Sequence, residues 1–457
     1  MVSVQTVQTP LTESEFTSAV ELLRQLIPED DFPAYSLDVS PATVYTTLVT
    51  LWMLTLQRLG GGMSMTAVIK DVLNNHHSLL PANKRVREGT LSERSGAYSR
   101  ARKRLPLETV QAFAERVSQS LMEQSPAWFA GRRAFLMDGT TMTLSPTSPL
   151  LDVYPPATNQ HGESVWPIMM LMVAHELQSG CALIPEFGAK YGPNNTSEAR
   201  QAAAIGLRIP LGSIIMADAG FGIFQVAHAM VLAGHRILFR LSKSRFESMR
   251  RRAKTITQTA HGVQYRLSWT PSSRERKTNP DLPAEACLAV DLHEVNLGNG
   301  GTLYLVTTLE ISSKTAGEFY RRRYDVEHDI RDMKITLAIE DIRAKSDEMV
   351  QKELLCSVVA YNLVVELRRE AAKIAGVKPR RLSFTGVWTT MKSYLLQKPP
   401  CSASEWQERY EQALRSAANS KLPNRPDRSY PRQAHPRRAK STKFMKQQAK
   451  EPSGKPE

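Results

Sequence analysis

The sequence predicts a mixed α/β protein that begins with a helical region and carries a β-rich segment inside its α/β part. Three observations lead to this fold class. Apolar residues recur at helical spacing before residue 125, and short apolar runs alternate with helix patterns from about residue 131. Strand patterns separated by Pro-, Gly- and Asn-rich turns then fill 245–310. Strands alternating with helices are typical of layered α/β folds.

The first region, 1–125, is predicted to be a helical DNA-binding region. It starts with helically spaced Leu22, Leu23, Leu26 and Ile27, and Gly60-Gly61-Gly62 ends the next apolar stretch. We expect helices over 44–59, 66–73, 93–105 and 107–122. The third of these is strongly basic and ends before Pro106; it contains Arg94, Arg100, Arg102, Lys103 and Arg104. The alternative for such a charge run is a solvated helix face.

The second region, 126–244, is predicted to be the first part of an α/β core. Its strands are expected over 134–137, 140–144, 166–174, 213–217 and 236–241. The first two would form a hairpin with Asp138 at the end of the first strand. Helices are expected over 197–207, with Thr196 as N-cap, and over 223–233.

The remaining chain divides into four predicted parts. Segment 245–310 is a β-strand insertion with strands over 263–269, 287–292 and 302–308. Segment 311–375 returns to the core with helices over 314–337 and 346–374, and 376–418 is a helical C-terminal region. The tail, 419–457, has eleven Lys and Arg against three Asp and Glu, a net charge of +8. Its composition predicts disorder.

Composition also limits the function. The 457 residues are 42% apolar and carry a net charge of +14, which favours a polyanionic partner such as nucleic acid. Apolar runs are strand-sized and no signal peptide is apparent, so we expect a cytoplasmic protein without a membrane partner. The four cysteines lie far apart, which argues against a zinc site or a disulfide framework.

Carboxylates at two strand ends and one helix face are the candidate catalytic groups. Asp138 and Asp218 each follow a short apolar strand, where a side chain at a sheet edge can meet a metal ion. Lone aspartates there are more often turn or cap residues. On the helix over 314–337, one face of the helix carries Tyr320, Arg323, Glu327 and Lys334 at i, i+3, i+7 and i+14. Glu198, at a helix start, is expected to favour the helix dipole.

Phosphodiester cleavage would use such a set. Two divalent cations activate the attacking oxygen and stabilise the leaving one, and Mg²⁺ prefers carboxylate ligands. Arg323 and Lys334 would hold phosphates, Arg as a fork and Lys as a point charge. Tyr320 would donate a hydrogen bond to a phosphate or pack against DNA.

The pattern Tyr320-x2-Arg323-x3-Glu327-x6-Lys334 resembles the Tyr-Arg-Glu-Lys signature of DDE transposases of the insertion-sequence-four type. Asp138-Gly139-Thr140 resembles the first catalytic block of that family, and Asp218-Ala219-Gly220-Phe221 the second. The spacing of 109 positions from Asp218 to Glu327 accommodates the family's β-strand insertion. The resemblance covers about residues 90–370, in the family's order.

This resemblance implies a ribonuclease H-like core in which Asp138, Asp218 and Glu327 ligate two Mg²⁺ ions, with Mn²⁺ able to substitute. It implies cleavage at the ends of an insertion element, then attack by the freed 3′-hydroxyl, first across the duplex as a hairpin and later at target DNA. The partners would be double-stranded DNA, as terminal inverted repeats and target, and a second copy of the chain. The implied location is bacterial and nucleoid-associated.

One departure concerns the hairpin. Relatives place a tryptophan in the insertion, shortly before the signature helix, to stabilise a flipped base, but 296–303 contains no Trp. Tyr304 and Trp269 are the candidate substitutes. Two alternative functions remain at this stage: a ribonuclease H-like nuclease without strand transfer, and a catalytically inactive, domesticated DNA-binding protein.

Overall fold

The computed structural model describes residues 43–424, except 78–79, 82, 161, 299 and 397–401. The prediction for the first helix, around Leu22, therefore lies outside the described residues, as does the tail beyond residue 424. The helices are α1 Thr47–Leu59, α2 Met65–Asn75, α3 Lys84–Arg87, α4 Gly96–Arg104, α5 Leu107–Glu123, α6 Ser148–Val153, α7 Glu198–Gly206, α8 Phe224–Leu232, α9 Lys243–Arg250, α10 Ser273–Thr278, α11 Ser313–Arg321, α12 Asp325–Arg331, α13 Asp347–Ala375, α14 Phe384–Tyr394 and α15 Ala403–Ala418. The strands are β1 Ala134–Thr143, β2 Pro156–Asn159, β3 Gly162–Glu176, β4 Glu186–Ala189, β5 Ile214–Ala217, β6 Arg236–Arg240, β7 Lys254–Thr259, β8 Gly262–Trp269, β9 Leu288–Leu297 and β10 Gly301–Thr307.

All ten described strands belong to one mixed sheet. Its order is β2-β3-β1-β5-β6-β10-β9-β8-β7, and β4 pairs with β3 outside this path. β1, β5 and β6 are parallel neighbours, whereas β3 and the strands from β10 to β7 are antiparallel to their neighbours. The fold is therefore a mixed α/β architecture, as the sequence predicts.

The two faces of the sheet have separate cores, because side chains alternate between the faces of a strand. On β1, Phe135 and Met137 join a large apolar cluster that includes much of α13. Ala134 and Leu136 join a second cluster that contains Tyr320 and Val326. The segment 313–336, which carries the four signature residues and is called the signature segment below, thus packs on one face of β1. The long helix α13 packs on the other face.

The described N-terminal helices pack on α13. The Tyr98 hydroxyl, buried in α4, donates to Gln57 Oε1 on α1 at 2.8 Å. Arg102 of α4 forms a buried ion pair with Glu353 of α13, and Lys352 Nζ donates to the Arg102 carbonyl at 3.2 Å. The basic helix is therefore tied to the rest of the chain through its buried face.

The predicted hairpin at Asp138 is wrong. β1 runs without a break through Asp138 and Gly139 to Thr143, and its partner is β3, with Asp138 opposite Val173. The long apolar β3 supplies backbone partners along all of β1, and the β-branched Thr140, Thr141 and Thr143 favour the extended conformation. The sequence Asp138-Gly139 indicated a turn, but the pairing with β3 keeps the chain extended there.

Three further details differ from the sequence predictions. The N-cap of α7 is Ser197, not Thr196, because the Ser197 hydroxyl accepts from Arg200 N. The segment 313–336 is helical but not one regular α-helix: Arg322–Tyr324 forms a 3₁₀ turn and Asp332–Thr336 a π-helical turn. β7 and α10 lie in the predicted insertion without having been predicted.

The predicted insertion is continuous with the main sheet. β10 pairs with β6, with Leu305 opposite Arg240, and β9, β8 and β7 extend the sheet from there. Among the described residues, no helix has both the length and the apolar character needed to cross a bilayer.

Candidate active site

Asp138 and Asp218 lie at the same level of the sheet. β1 and β5 are parallel neighbours with Leu136 opposite Met216, so two residues further along Asp138 faces Asp218. Asp138 and Asp218 lie two residues after Leu136 and Met216, which belong to the cluster under the signature segment, so alternation along each strand points both aspartates toward that face. Neighbouring strands lie about 4.8 Å apart, so the pairing brings the two carboxylates together.

The turn after β5 is built around Asp218. Its Oδ1 accepts a hydrogen bond from Gly220 N at 2.8 Å, and Phe221, 2% exposed, anchors the turn in the core. Gly222 lies so close to β6 that a Cβ there would be 2.2 Å from the Arg240 carbonyl oxygen. The sequence Asp-Ala-Gly-Phe-Gly therefore fixes Asp218 at the end of its strand.

The signature segment brings Glu327 to the same place through Arg323. The Arg323 guanidinium donates to Glu327 Oε1 at 2.6 Å and to Asp138 Oδ2 at 3.3 Å. The Arg323 side chain is 7% exposed, whereas that of Glu327 is 54% exposed. The guanidinium therefore bridges two predicted catalytic carboxylates and offsets their charge.

Lys334 lies beside β1. Its ammonium group donates to Thr140 Oγ1 at 3.2 Å and to the Thr141 carbonyl at 2.9 Å, and it pairs with Glu340 at 2.6 Å. The predicted role of Tyr320 is contradicted: the side chain is 2% exposed and belongs to the apolar cluster under the signature segment. Helical spacing alone could not separate a residue that faces the site from one buried behind it.

The electrostatic environment of Asp138 follows from this arrangement. Burial, reinforced by the neighbouring Asp218, raises the pKa of Asp138 to about 6, whereas the Arg323 guanidinium acts to lower it. A raised carboxyl pKa next to a second carboxylate is a common property of functional sites.

A buried ion pair holds the signature segment in place. Asp329, one helical turn from Asp325 and 1% exposed, accepts from Arg380 Nη1 at 2.6 Å and from the Tyr361 hydroxyl at 3.3 Å. Burial alone would raise the pKa of Asp329, but the Arg380 guanidinium outweighs it and holds the pKa below its usual value. Arg380 also donates to the Leu177 carbonyl at 2.8 Å, which ties the segment to β3.

The donor set suits a hard divalent cation. Asp138, Asp218 and Glu327 offer only carboxylate oxygens, the ligands that Mg²⁺ prefers. In the described part of the chain, no three His, Cys, Asp or Glu side chains have converged into a ready-made metal cluster. The Arg323 guanidinium lies between Asp138 and Glu327 and donates to one oxygen of each carboxylate.

Two residues that the sequence did not assign to the site lie next to it. Glu198 Oε1 would be 3.1 Å from a Cβ at Gly139, directly after Asp138. Tyr324, 48% exposed, packs its ring against the Arg323 guanidinium with 4.7 Å between the guanidinium carbon and the ring centre. The only signal for Tyr324 was its place in the signature segment. Glu198 lies far from the other residues in sequence.

The basic residues of α4 divide into two groups. Arg100, Lys103 and Arg104 are exposed, as a DNA-contacting surface would require. The prediction for Arg102 is contradicted, because Arg102 is 7% exposed and its guanidinium is committed to Glu353. The spacing of Arg102 from Tyr98, one helical turn away, was the available signal that both face inward.

A basic cleft of about 640 Å³ lies beside the turn that carries Asp218. Its lining includes Ile223, Trp269 and several serine hydroxyls. Three arginines also line it: Arg245, Arg252 and Arg274. Trp269 is 3% exposed and packs edge-on against Phe224 with ring centres 5.5 Å apart. Tyr304 is half-buried against Phe246. Trp269 therefore offers a flipped base little surface, whereas Tyr304 is only partly covered.

Comparison with known proteins also indicates a transposase. The family described as "Transposase DDE domain" matches residues 129–363. The chain is also similar to "Transposase InsG for insertion sequence element IS4" from Escherichia coli (strain K12). The two are 24% identical over 348 residues, which cover 74% of this chain and 75% of the relative. Members of this family use divalent metal ions and act on DNA. Because the family match covers more than half of the chain, the protein belongs to the transposase DDE-domain family, whose members cleave and join DNA.

Proposed function

We propose that Asp138, Asp218 and Glu327 hold two Mg²⁺ ions in a ribonuclease H-like core, with Mn²⁺ able to substitute. The chain then cuts DNA at the ends of an insertion element and joins those ends to target DNA, a cut-and-paste reaction. One observation carries this proposal. Two aspartates lie at one level on adjacent parallel strands, and Arg323 links the first of them to Glu327.

When bound, two divalent cations supply an activated attacking oxygen and charge stabilisation for the leaving oxygen. The chain's own residues do the rest of the positioning. Arg323 can offer a planar fork to a phosphate, and Lys334, held beside Thr140, adds a point charge. Tyr324 shields the guanidinium from one side.

The DNA path follows the exposed positive charge. The cleft lined by Arg245, Arg252 and Arg274 includes Ile223, five residues after Asp218, and we place a DNA strand there on its way to the carboxylates. Its serine hydroxyls suit phosphate oxygens. The exposed basic residues of α4 offer a second contact, on the helical region 1–125; they are Arg100, Lys103 and Arg104.

The six parts predicted from the sequence are proposed as the functional organisation, with 245–310 serving as an extension of the catalytic sheet. A cut-and-paste reaction must hold two element ends together. We propose a homodimer on the terminal inverted repeats, as the insertion-sequence-four resemblance suggests. The relative InsG is named as the transposase of an insertion element, in agreement with this substrate.

The test is cleavage of a labelled duplex carrying the element's own end, in Mg²⁺, Mn²⁺ or EDTA. We compare the wild type with Asp218→Ala and Glu327→Gln. The control is Glu318→Gln, which removes an exposed acid from the same helical segment. We expect metal-dependent cutting at the element boundary in the wild type and the control, and binding without cutting in the two site variants.

Three other results would contradict the proposed function. Retained cleavage in Glu327→Gln would refute the three-carboxylate site. Cutting without joined products on a target plasmid would indicate a nuclease without strand transfer. Binding without cutting in any divalent metal would indicate an inactive, domesticated DNA-binding protein.

A further inference from the structure

Glu198 is the first residue of α7, but helix capping does not explain the direction of its side chain. The cap of this helix is Ser197, whose hydroxyl accepts from Arg200 N at 3.2 Å. The Glu198 carboxylate extends away from the helix, toward the strand and the turn that carry the two aspartates.

One glycine, Gly139, makes room for this carboxylate, and a second, Gly220, lies within ordinary contact distance of it. A Cβ at Gly139 would lie 3.1 Å from Glu198 Oε1, closer than a side chain tolerates without movement. A Cβ at Gly220 would lie 3.9 Å from Glu198 Oε2 and 3.1 Å from Asp218 Oδ1. One oxygen of Glu198 thus lies over the residue after Asp138, and the other lies near the turn that fixes Asp218.

We propose that Glu198 is a fourth carboxylate of the metal site. This inference rests on the proposed function, since it adds a ligand to the site of Asp138 and Asp218. The missing side chain at Gly139 leaves the space that Glu198 Oε1 approaches, and a carboxylate oxygen is the ligand that Mg²⁺ prefers. Glu198 approaches from α7, whereas Glu327 approaches from the signature segment, so the two acids enclose the aspartates from different elements.

The competing role for Glu198 is the interaction of an exposed acid with its own helix dipole. That role predicts a small change in stability and none in metal binding. Glu108 provides the matched control, because it is an exposed acid in the first turn of α5.

The experiment is titration of the full-length protein with Mn²⁺, followed by calorimetry and by the loss of the free-ion electron paramagnetic resonance signal. The proteins are the wild type, Glu198→Gln, Glu108→Gln and Asp138→Asn. We expect Glu198→Gln to weaken Mn²⁺ binding about ten-fold or more. In EDTA its Tm should equal that of Glu108→Gln, which should bind Mn²⁺ as the wild type does.

The variants separate this inference from the proposed function. Wild-type Mn²⁺ affinity in Glu198→Gln, with weakened binding in Asp138→Asn, would overturn the role of Glu198 and leave the proposed site intact. Wild-type affinity in both variants would overturn both. A weakened affinity in Glu108→Gln equal to that in Glu198→Gln would show a general charge effect and would also overturn the inference.

Discussion

Asp138→Asn should stabilise the metal-free protein at neutral pH. Burial and Asp218 raise the pKa of Asp138 from 3.8 to about 6, so the ionised side chain costs free energy in the folded state. Each pKa unit corresponds to about 1.4 kcal/mol, which gives about 3 kcal/mol for the full shift. Because the side chain is 21% exposed, solvent screens part of this cost, and we expect a gain of about 2 kcal/mol.

The size of this gain depends on pH. Below about pH 4 Asp138 is protonated in both the folded and the unfolded protein, so the substitution has little effect there. As the pH rises from 4 to 6, the unfolded state loses this proton first and the wild type loses stability relative to the variant. Above about pH 6 the full gain is present. Asn keeps the shape of Asp and can still accept from Gly139 N.

The assay is urea unfolding in EDTA at pH 4.5, 6.0 and 7.5 for both proteins. Asp218→Asn is the control, because removing the second carboxylate should lower the pKa of Asp138 and move the pH dependence downward. A gain that is the same at all three pH values, or a variant less stable than the wild type at pH 7.5, would refute the reasoning.

Three other substitutions test separate contacts. Arg102→Ala breaks the buried pair with Glu353 and should cost about 3 kcal/mol in urea unfolding, whereas Arg104→Ala should stay within about 0.5 kcal/mol. Equal losses would contradict the burial of Arg102. Asp329→Ala removes the carboxylate partner of Arg380, whose side chain is 11% exposed, and should cost about 3 kcal/mol; unchanged unfolding would contradict the anchor. Arg323→Ala should tighten Mn²⁺ binding about ten-fold, since the guanidinium repels a cation, while cleavage falls; weaker Mn²⁺ binding would refute that competition.

The secondary structure was predictable where periodicity was strong. The long helix α13 and strand β3 have apolar patterns that determine their type, and most boundaries fell within a few residues. The error at Asp138 arose because a glycine after an aspartate is a local turn signal, whereas the strand is continued by the distant β3. The sequence also could not indicate that β10 pairs with β6, since strand pairing across the sheet depends on tertiary packing.

The site was predictable as far as its motif extends. Arg323 and Glu327 lie four residues apart and meet as their spacing predicts, and Lys334 reaches the same strand. Glu198 could not be predicted, because its approach depends on the space at Gly139, which lies far from it in sequence. Arg102 could not be separated from its neighbours either. The run of basic residues on α4 does not reveal which side chain is buried.

The pairing of β10 with β6 has a consequence for protein engineering. A segment joined to its host only at its two ends could be exchanged between relatives as a cassette. Here, excising 254–307 would remove β10, the hydrogen-bonding partner on one side of β6, and uncover Ile237 and Phe239, both fully buried. Chimeras should therefore be joined beyond β10, so that β6 and its neighbour come from one parent. A donor strand of different register would otherwise leave β6 as an apolar edge prone to aggregation.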